Sequence, residues 1–149
     1  MRVSNYTRQL FSNSESVMRE DRDYSDIPGT YVFDPDHSRT GYHLNMFCMS
    51  LNMPQNRDRF REDEAAYLEQ FPMTPEQCQA VLERDWVGML RLGGNIYYTF
   101  KIAIFDGLTM QDVGGRMSGV SREEFQQMMI EGGRPPEGNR YKSEWEDNG

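Results

Sequence analysis

The segment TPEQCQAVLERDWVGMLRLGGNIYYTFKIAIF, residues 74–105, holds a helix start, an apolar stripe, a stop and a second apolar run in direct succession. Thr74 can cap a helix, Pro75 fills the first helical position where its missing N–H costs nothing, and Gln77 stands three residues after the cap to reach back. Val81, Leu82, Trp86, Met89 and Leu90 then recur at steps of three and four, with Glu76, Glu83 and Arg91 off that face. This spacing predicts one helix of about four turns with one apolar side. Gly93-Gly94 stops it, because glycine enters left-handed backbone geometry without penalty. Ile96 to Phe105 is bulkier and reads as a second helix packed on the first, although its β-branched and aromatic content also suits a strand. The expected fold is all-α: a compact, irregular multi-helix domain built around this pair, with extended N- and C-terminal arms.

Outward towards the N-terminus, Gln55 to Gln70 is mostly charged, with Phe60, Ala65, Tyr67, Leu68 and Phe71 as its apolar contacts. It reads as a surface helix divided near Glu62–Asp63 and closed by Pro72. Asn52-Met53-Pro54 separates it from an apolar helix carrying Tyr42, Leu44, Met46, Phe47, Met49 and Leu51, for which Asp36 or Ser38 is the expected cap. Ile27-Pro28-Gly29-Thr30 has the signature of a type II turn. Residues 1–26 form an expected arm, with a short helix near Ser14–Glu20, that is either ordered on a partner or mobile alone. Towards the C-terminus, Thr109 and Asp112 can box a single helical turn, followed by a loop made adaptable by Gly114, Gly115 and Gly119. Ser121 and Glu124 box a further helix ended by Gly132-Gly133. The domain is thus expected over residues 27–136, with a Pro- and charge-rich tail at 137–149 in which Tyr141 and Trp145 are possible anchors.

With 149 residues the chain is sized for one core. Acidic residues outnumber Lys and Arg by 24 to 16, a formal net charge of −8 that argues against nucleic acid as a partner. No apolar run approaches the roughly 20 residues of a membrane span, and no signal-peptide core is present, so a cytoplasmic protein is expected. Cys48 and Cys78 both fall in apolar helical patterns and read as buried reduced thiols. Helix-start position would favour the Cys78 thiolate, but a core thiol is the preferred reading over a nucleophile. His37 and His43, with Asp34 and Asp36 nearby, match neither HExxH nor a zinc spacing. The glycine pairs carry no phosphate-loop pattern. The methionines suit core filling, or a surface that must fit another protein or a small aromatic molecule. The residues alone therefore describe an acidic helical domain with no catalytic residues of its own and a partner-dependent role.

At Gly41-Tyr42-His43-Leu44-Asn45-Met46-Phe47-Cys48-Met49-Ser50-Leu51 the chain resembles the small α subunit of the protocatechuate 4,5-dioxygenases, type II extradiol ring-cleaving enzymes. The likeness continues through residues 27–30, 56–60, 63–68, 93–97, Asp106-Gly107, Met117-Ser118-Gly119 and 128–134. It implies an all-helical subunit paired with a larger β subunit in a heterotetramer of two of each. The β subunit would hold a non-haem Fe(II) through two histidines and a glutamate, where a catechol-type aromatic acid and O₂ react. The α subunit would cover the mouth of that site and bind no iron itself.

One departure bears on substrate. Protocatechuate-cleaving members carry Asp-Gly-x-Ser-Phe-Gln beside the substrate, whereas this chain has Asp106-Gly107-Leu108-Thr109-Met110-Gln111. Met110 is longer, thinner and more adaptable than a phenyl ring. The implied substrate is a related catechol acid such as a gallate or an O-methylated acid. Thr109, Met110, Gln111, Arg116 and Met117 are the expected pocket cover, Arg116 being either a carboxylate partner or simply exposed. Tyr42, His43, Tyr97 and Arg134 are the expected interface residues. The competing reading is a stand-alone helical interaction or regulatory protein that keeps the family fold.

Overall fold

In the computed structural model, which describes residues 22, 24, 27 and 29–133, every regular element is an α-helix. By internal contact the chain forms one unit over residues 33–134 and another over residues 1–32 and 135–149. In the latter, Gly29 takes φ +71° and Thr30 N donates to Ile27 O at 3.2 Å, the expected turn. The Ser14–Glu20 helix and the Tyr141 and Trp145 anchors lie outside the described residues.

The unit over 33–134 runs α1 (Pro35–Thr40), α2 (Tyr42–Ser50), α3 (Pro54–Glu62), α4 (Glu64–Leu68), α5 (Pro75–Leu82), α6 (Trp86–Arg91), α7 (Ile96–Phe105), α8 (Met110–Ser118) and α9 (Arg122–Ile130). Reciprocal capping boxes open α5, α8 and α9 at Thr74, Thr109 and Ser121. Asp63 divides α3 from α4 by accepting from Ala66 N, as the charged segment implied.

Three expectations need correction. The helix after Thr74 is not continuous, since α5 ends at Leu82 and Asp85 starts α6 by accepting from Gly88 N at 2.9 Å. Between them Arg84 sits at φ +55°, with Arg84 N donating to Val81 O and Asp85 N to Ala80 O. This is a Schellman stop with arginine in glycine's usual place. The break rotates Leu82 out to solvent, while Val81, Trp86 and Met89 stay buried. Second, the helix before Leu44 is capped by neither Asp36 nor Ser38. Asp34 accepts from His37 N to start α1, and α2 begins anew after Gly41. Third, Gly114 and Gly115 are not in a loop but inside the nine-residue α8. Each glycine admits a neighbour there: a Cβ on Gly114 would lie 2.4 Å from the Phe125 ring, and one on Gly115 2.9 Å from Val120 O.

Packing follows from these breaks. α2 lies on α7, α5 on α6, and α8 on α9. The core joins Leu44, Phe47, Leu51, Phe60, Tyr67 and Leu68 to Val81, Trp86, Met89, Ile102 and Val113. Phe60 sits 5.2 Å from Phe47 and 4.9 Å from Phe105, centroid to centroid, so α2, α3 and α7 meet at one aromatic cluster.

A buried polar tie fixes how the first helices meet α5 to α7. Asn45 Nδ2 donates to Gly93 O at 3.1 Å, and Asn45 Oδ1 accepts from Asn95 N at 2.9 Å. Gln77 Nε2 donates to Thr40 O and Leu92 O, both at 3.0 Å, while its Oε1 serves the Thr74 cap. Gly41 and Gly93 touch backbone to backbone, for a Cβ on Gly41 would fall 1.8 Å from Gly93 O.

Candidate functional site

The tie at Gly41, Asn45 and Gly93 places the first turns of α2 and α7 side by side, and three of the expected interface residues are there. Tyr42 and His43 follow Gly41 directly, their rings edge to face at 5.1 Å, and both are exposed. Tyr97, two residues after Asn95, is 81% exposed. Seven residues further along each helix, on the same face, Met49 and Ile104 are also exposed, Ile104 at 64%. Two packed helices thus each turn a pair of large apolar side chains to solvent, with Lys101 between those of α7. Arg134 lies outside the described residues.

The expected pocket cover falls on α8, but not as one cluster. Met110 opens the helix with 60% of its surface exposed. Thr109 is spent on the cap: its N–H donates to Asp112 Oδ2 at 2.7 Å, and its hydroxyl donates to the same oxygen at 2.6 Å. These bonds from the Thr109 hydroxyl and backbone, helped by the charges of Arg122 and Arg116, hold Asp112 below the usual aspartate pKa. Arg116 is exposed in the last turn and faces Asp112, four residues back, rather than Met110. Met117 shares Met110's face but is half-buried against the core, and Gln111 is half-buried beside Met110. Of the two methionines only Met110 reaches freely outward.

Arg84, to which no sequence signal points, is the strongest charged centre. Its guanidinium binds Glu64 through both terminal nitrogens at 2.6 and 2.9 Å, and Asp106 through Nε at 2.7 Å. Burial opposes its charge, but hydrogen bonds and charge from Asp106 and Glu64 outweigh that and raise its pKa. With every fork of the guanidinium engaged, this is a staple between α4, the α5–α6 break and the end of α7, not a ligand site. Trp86 Nε1 is buried with no hydrogen-bond partner among the described residues.

Neither cysteine offers a thiolate. Burial pushes Cys48 up to about 12, and it also raises the half-buried Cys78, against the favourable helix start. His37 Nδ1 is held by Asp34 Oδ1 at 2.8 Å. Among the described residues no three His, Cys, Asp or Glu side chains come together as a metal site. They do not fit a 2-His-1-carboxylate iron centre. No helix among the described residues is long and apolar enough to cross a membrane.

A family model for the LigA subunit of the aromatic-ring-opening dioxygenase LigAB matches residues 44–130, more than half of the chain. The chain belongs to that family. The match takes in most of α2 and all of α3 to α9, including the Asn45 tie, the Arg84 staple and Met110. A gallate dioxygenase of Pseudomonas putida strain KT2440 is 29% identical over 99 residues, which are 66% of this chain and 29% of that protein. The LigA-family chain therefore spans under a third of that relative's length.

Proposed function

We propose that this chain is the non-iron-binding α subunit of an extradiol ring-cleaving dioxygenase, covering the Fe(II) site of a larger β subunit in an α2β2 assembly. The observation that carries the reading is the family match over residues 44–130. Two features of the chain support it. The exposed pairs on α2 and α7, Tyr42 with Met49 and Tyr97 with Ile104, suit burial against a large partner. The length of the similar gallate dioxygenase is consistent with a LigA-type region working beside a larger body. Ring-opening chemistry is then supplied by Fe(II) on the partner and by O₂. This chain's part is to exclude water and to shape the pocket through Met110, with Thr109 and Asp112 fixing the helix start from which Met110 projects. We further propose that residues 27–136 are the family domain, and that the substrate is a catechol acid more heavily substituted than protocatechuate. Met110 in the family's phenylalanine position and the similarity to a gallate-cleaving enzyme both favour that choice.

The test is to look in the neighbouring reading frames for a larger extradiol subunit and co-express it with this chain, with purification on one tag and O₂ uptake by Fe(II)-loaded complex across a panel of catechol acids. Co-purification with uptake that needs both chains is expected. If the 149-residue chain stays alone and the large subunit is fully active without it, the stand-alone interaction reading replaces this one. Within an active complex, Met110→Phe should shift kcat/KM towards protocatechuate by about tenfold, the worth of one pocket contact. Unchanged preference across the panel would remove Met110 from the pocket.

A further inference from the structure

Gly107, Leu108 and Thr109 join Asp106, at the end of α7, to Met110, and each of the three is tied in place. Gly107 takes φ +74° and its N–H donates to Ile104 O at 3.1 Å, while Leu108 N donates to Ala103 O at 2.8 Å. That is a Schellman stop, which orders the two residues after Asp106. Ala103 is fully buried, Leu108 packs on the core, and Thr109 is boxed with Asp112. The direction in which Met110 leaves the fold therefore depends on where Asp106 is held.

Arg84 holds it. Asp106 Oδ2 accepts from Arg84 Nε at 2.7 Å and Oδ1 from Nη2 at 3.0 Å, a paired geometry that fixes the plane of a carboxylate as well as its position. The guanidinium is tied on its other side too. Its Nη1 donates to Val81 O at 2.8 Å, both terminal nitrogens reach Glu64, and its carbon lies 5.8 Å from the centre of the Phe60 ring.

We propose that Arg84 is a positioning residue for Met110: through Asp106 it fixes the connection from which Met110 projects, and so sets which substrate the assembled enzyme prefers. The inference rests on the reading of Met110 as pocket cover. The backbone of Arg84 supports it, since φ +55° strains an arginine and glycine would make the same bend freely. What arginine adds at that bend is a side chain long enough to reach the end of α7. α6, which begins two residues after Arg84, also packs on α8. The same break thus meets the Met110 helix both along its length and through the connection that precedes it.

A staple that only stabilises would suffer alike from loss of either carboxylate, whereas positioning through Asp106 would not. In the full chain, exchange at the Leu108 amide is read against the Phe47 amide of α2, which reports global opening. Asp106→Ala should raise that ratio by about tenfold through local opening, and Glu64→Ala should leave it unchanged. In the Fe(II)-loaded complex with the larger subunit, Asp106→Ala should change the ratio of kcat/KM for gallate over protocatechuate by about fivefold, less than outright loss of a pocket contact. Glu64→Ala should keep the wild-type ratio. Asp106→Ala should add nothing in a Met110→Ala background, because both act through one side chain. Equal exchange ratios in the two carboxylate variants would overturn the proposal. So would wild-type preference in Asp106→Ala beside altered preference in Met110→Ala. Failure of the pocket reading looks different: Met110→Ala itself then keeps the wild-type preference, and the proposal falls with it.

Discussion

At the scale of single residues, Gly41 and Asp112 carry consequences out of proportion to their size. A methyl group on Gly41 would need space that Gly93 O occupies, 1.8 Å away, and backbone on both sides cannot yield as a flexible side chain would. Gly41→Ala should therefore cost about 3 kcal/mol in urea unfolding. A loss below about 1 kcal/mol would show that the two turns can slide apart. Asp112 links stability at the α8 start to pH. Its folded pKa lies below the unfolded value because Thr109 donates to the charged form, so the cap is fully formed above the ordinary aspartate value of about 3.9. It is lost as pH falls through the lower folded value. Glu124 repeats this at α9, lowered by the backbone and hydroxyl of Ser121. An NMR titration should show the Thr109 amide shift moving with a midpoint below that of an exposed aspartate, and Asp112→Asn should abolish the transition. A midpoint at or above the ordinary value would contradict the cap's role.

At the scale of elements, what could be read in the sequence depended on which residue type made each boundary. Thr74, Thr109 and Ser121 open helices through a hydroxyl and a partner three residues on, a pattern local enough to see. The division at Asp63 was legible differently, from the run of charge around Glu62–Asp63, although the cap that makes it, Asp63 accepting from Ala66 N, was not read. The α5–α6 break was not, because Arg84 stands at the left-handed position where glycine normally announces a stop. What holds it there is long-range, the Glu64 and Asp106 carboxylates from elements some twenty residues away on either side. Gly114 and Gly115 erred the other way: they signalled a loop, but serve as gaps that admit α9 to α8. The staple reading predicts an unusual order of stability at position 84. Both Arg84→Gly and Arg84→Ala lose the ion pairs, at about 2 kcal/mol for a half-buried set. Alanine must also pay left-handed strain of about 1 kcal/mol. Urea unfolding should rank arginine above glycine above alanine. Alanine equal to glycine would mean that the break straightens once the carboxylates let go.

At the scale of the whole molecule, the proposed partner face is assembled from segments far apart in the chain, which is why periodicity exposed the helices but not the faces. The meeting of α3 and α7 needs the Phe60–Phe105 contact. The α2–α7 apolar surface needs the Gly41–Gly93 approach. Tyr42, His43 and Tyr97 were visible individually as candidates, while Met49 and Ile104 acquired meaning only once the helices were side by side. If that surface is covered by a partner, charge placed on it should break association without unfolding the chain, since its side chains contribute little to the core. Tyr97→Asp with Ile104→Asp should leave the helical signal and unfolding midpoint near wild type, and lower co-purification of the larger subunit by more than about a hundredfold, as two uncompensated carboxylates are buried. Gly41→Ala is the contrasting control: it should lower the unfolding midpoint first and lose partner binding only as the fold is lost. Undiminished co-purification of the doubly charged variant would show that the partner docks elsewhere and that the α2–α7 surface stays in water within the complex.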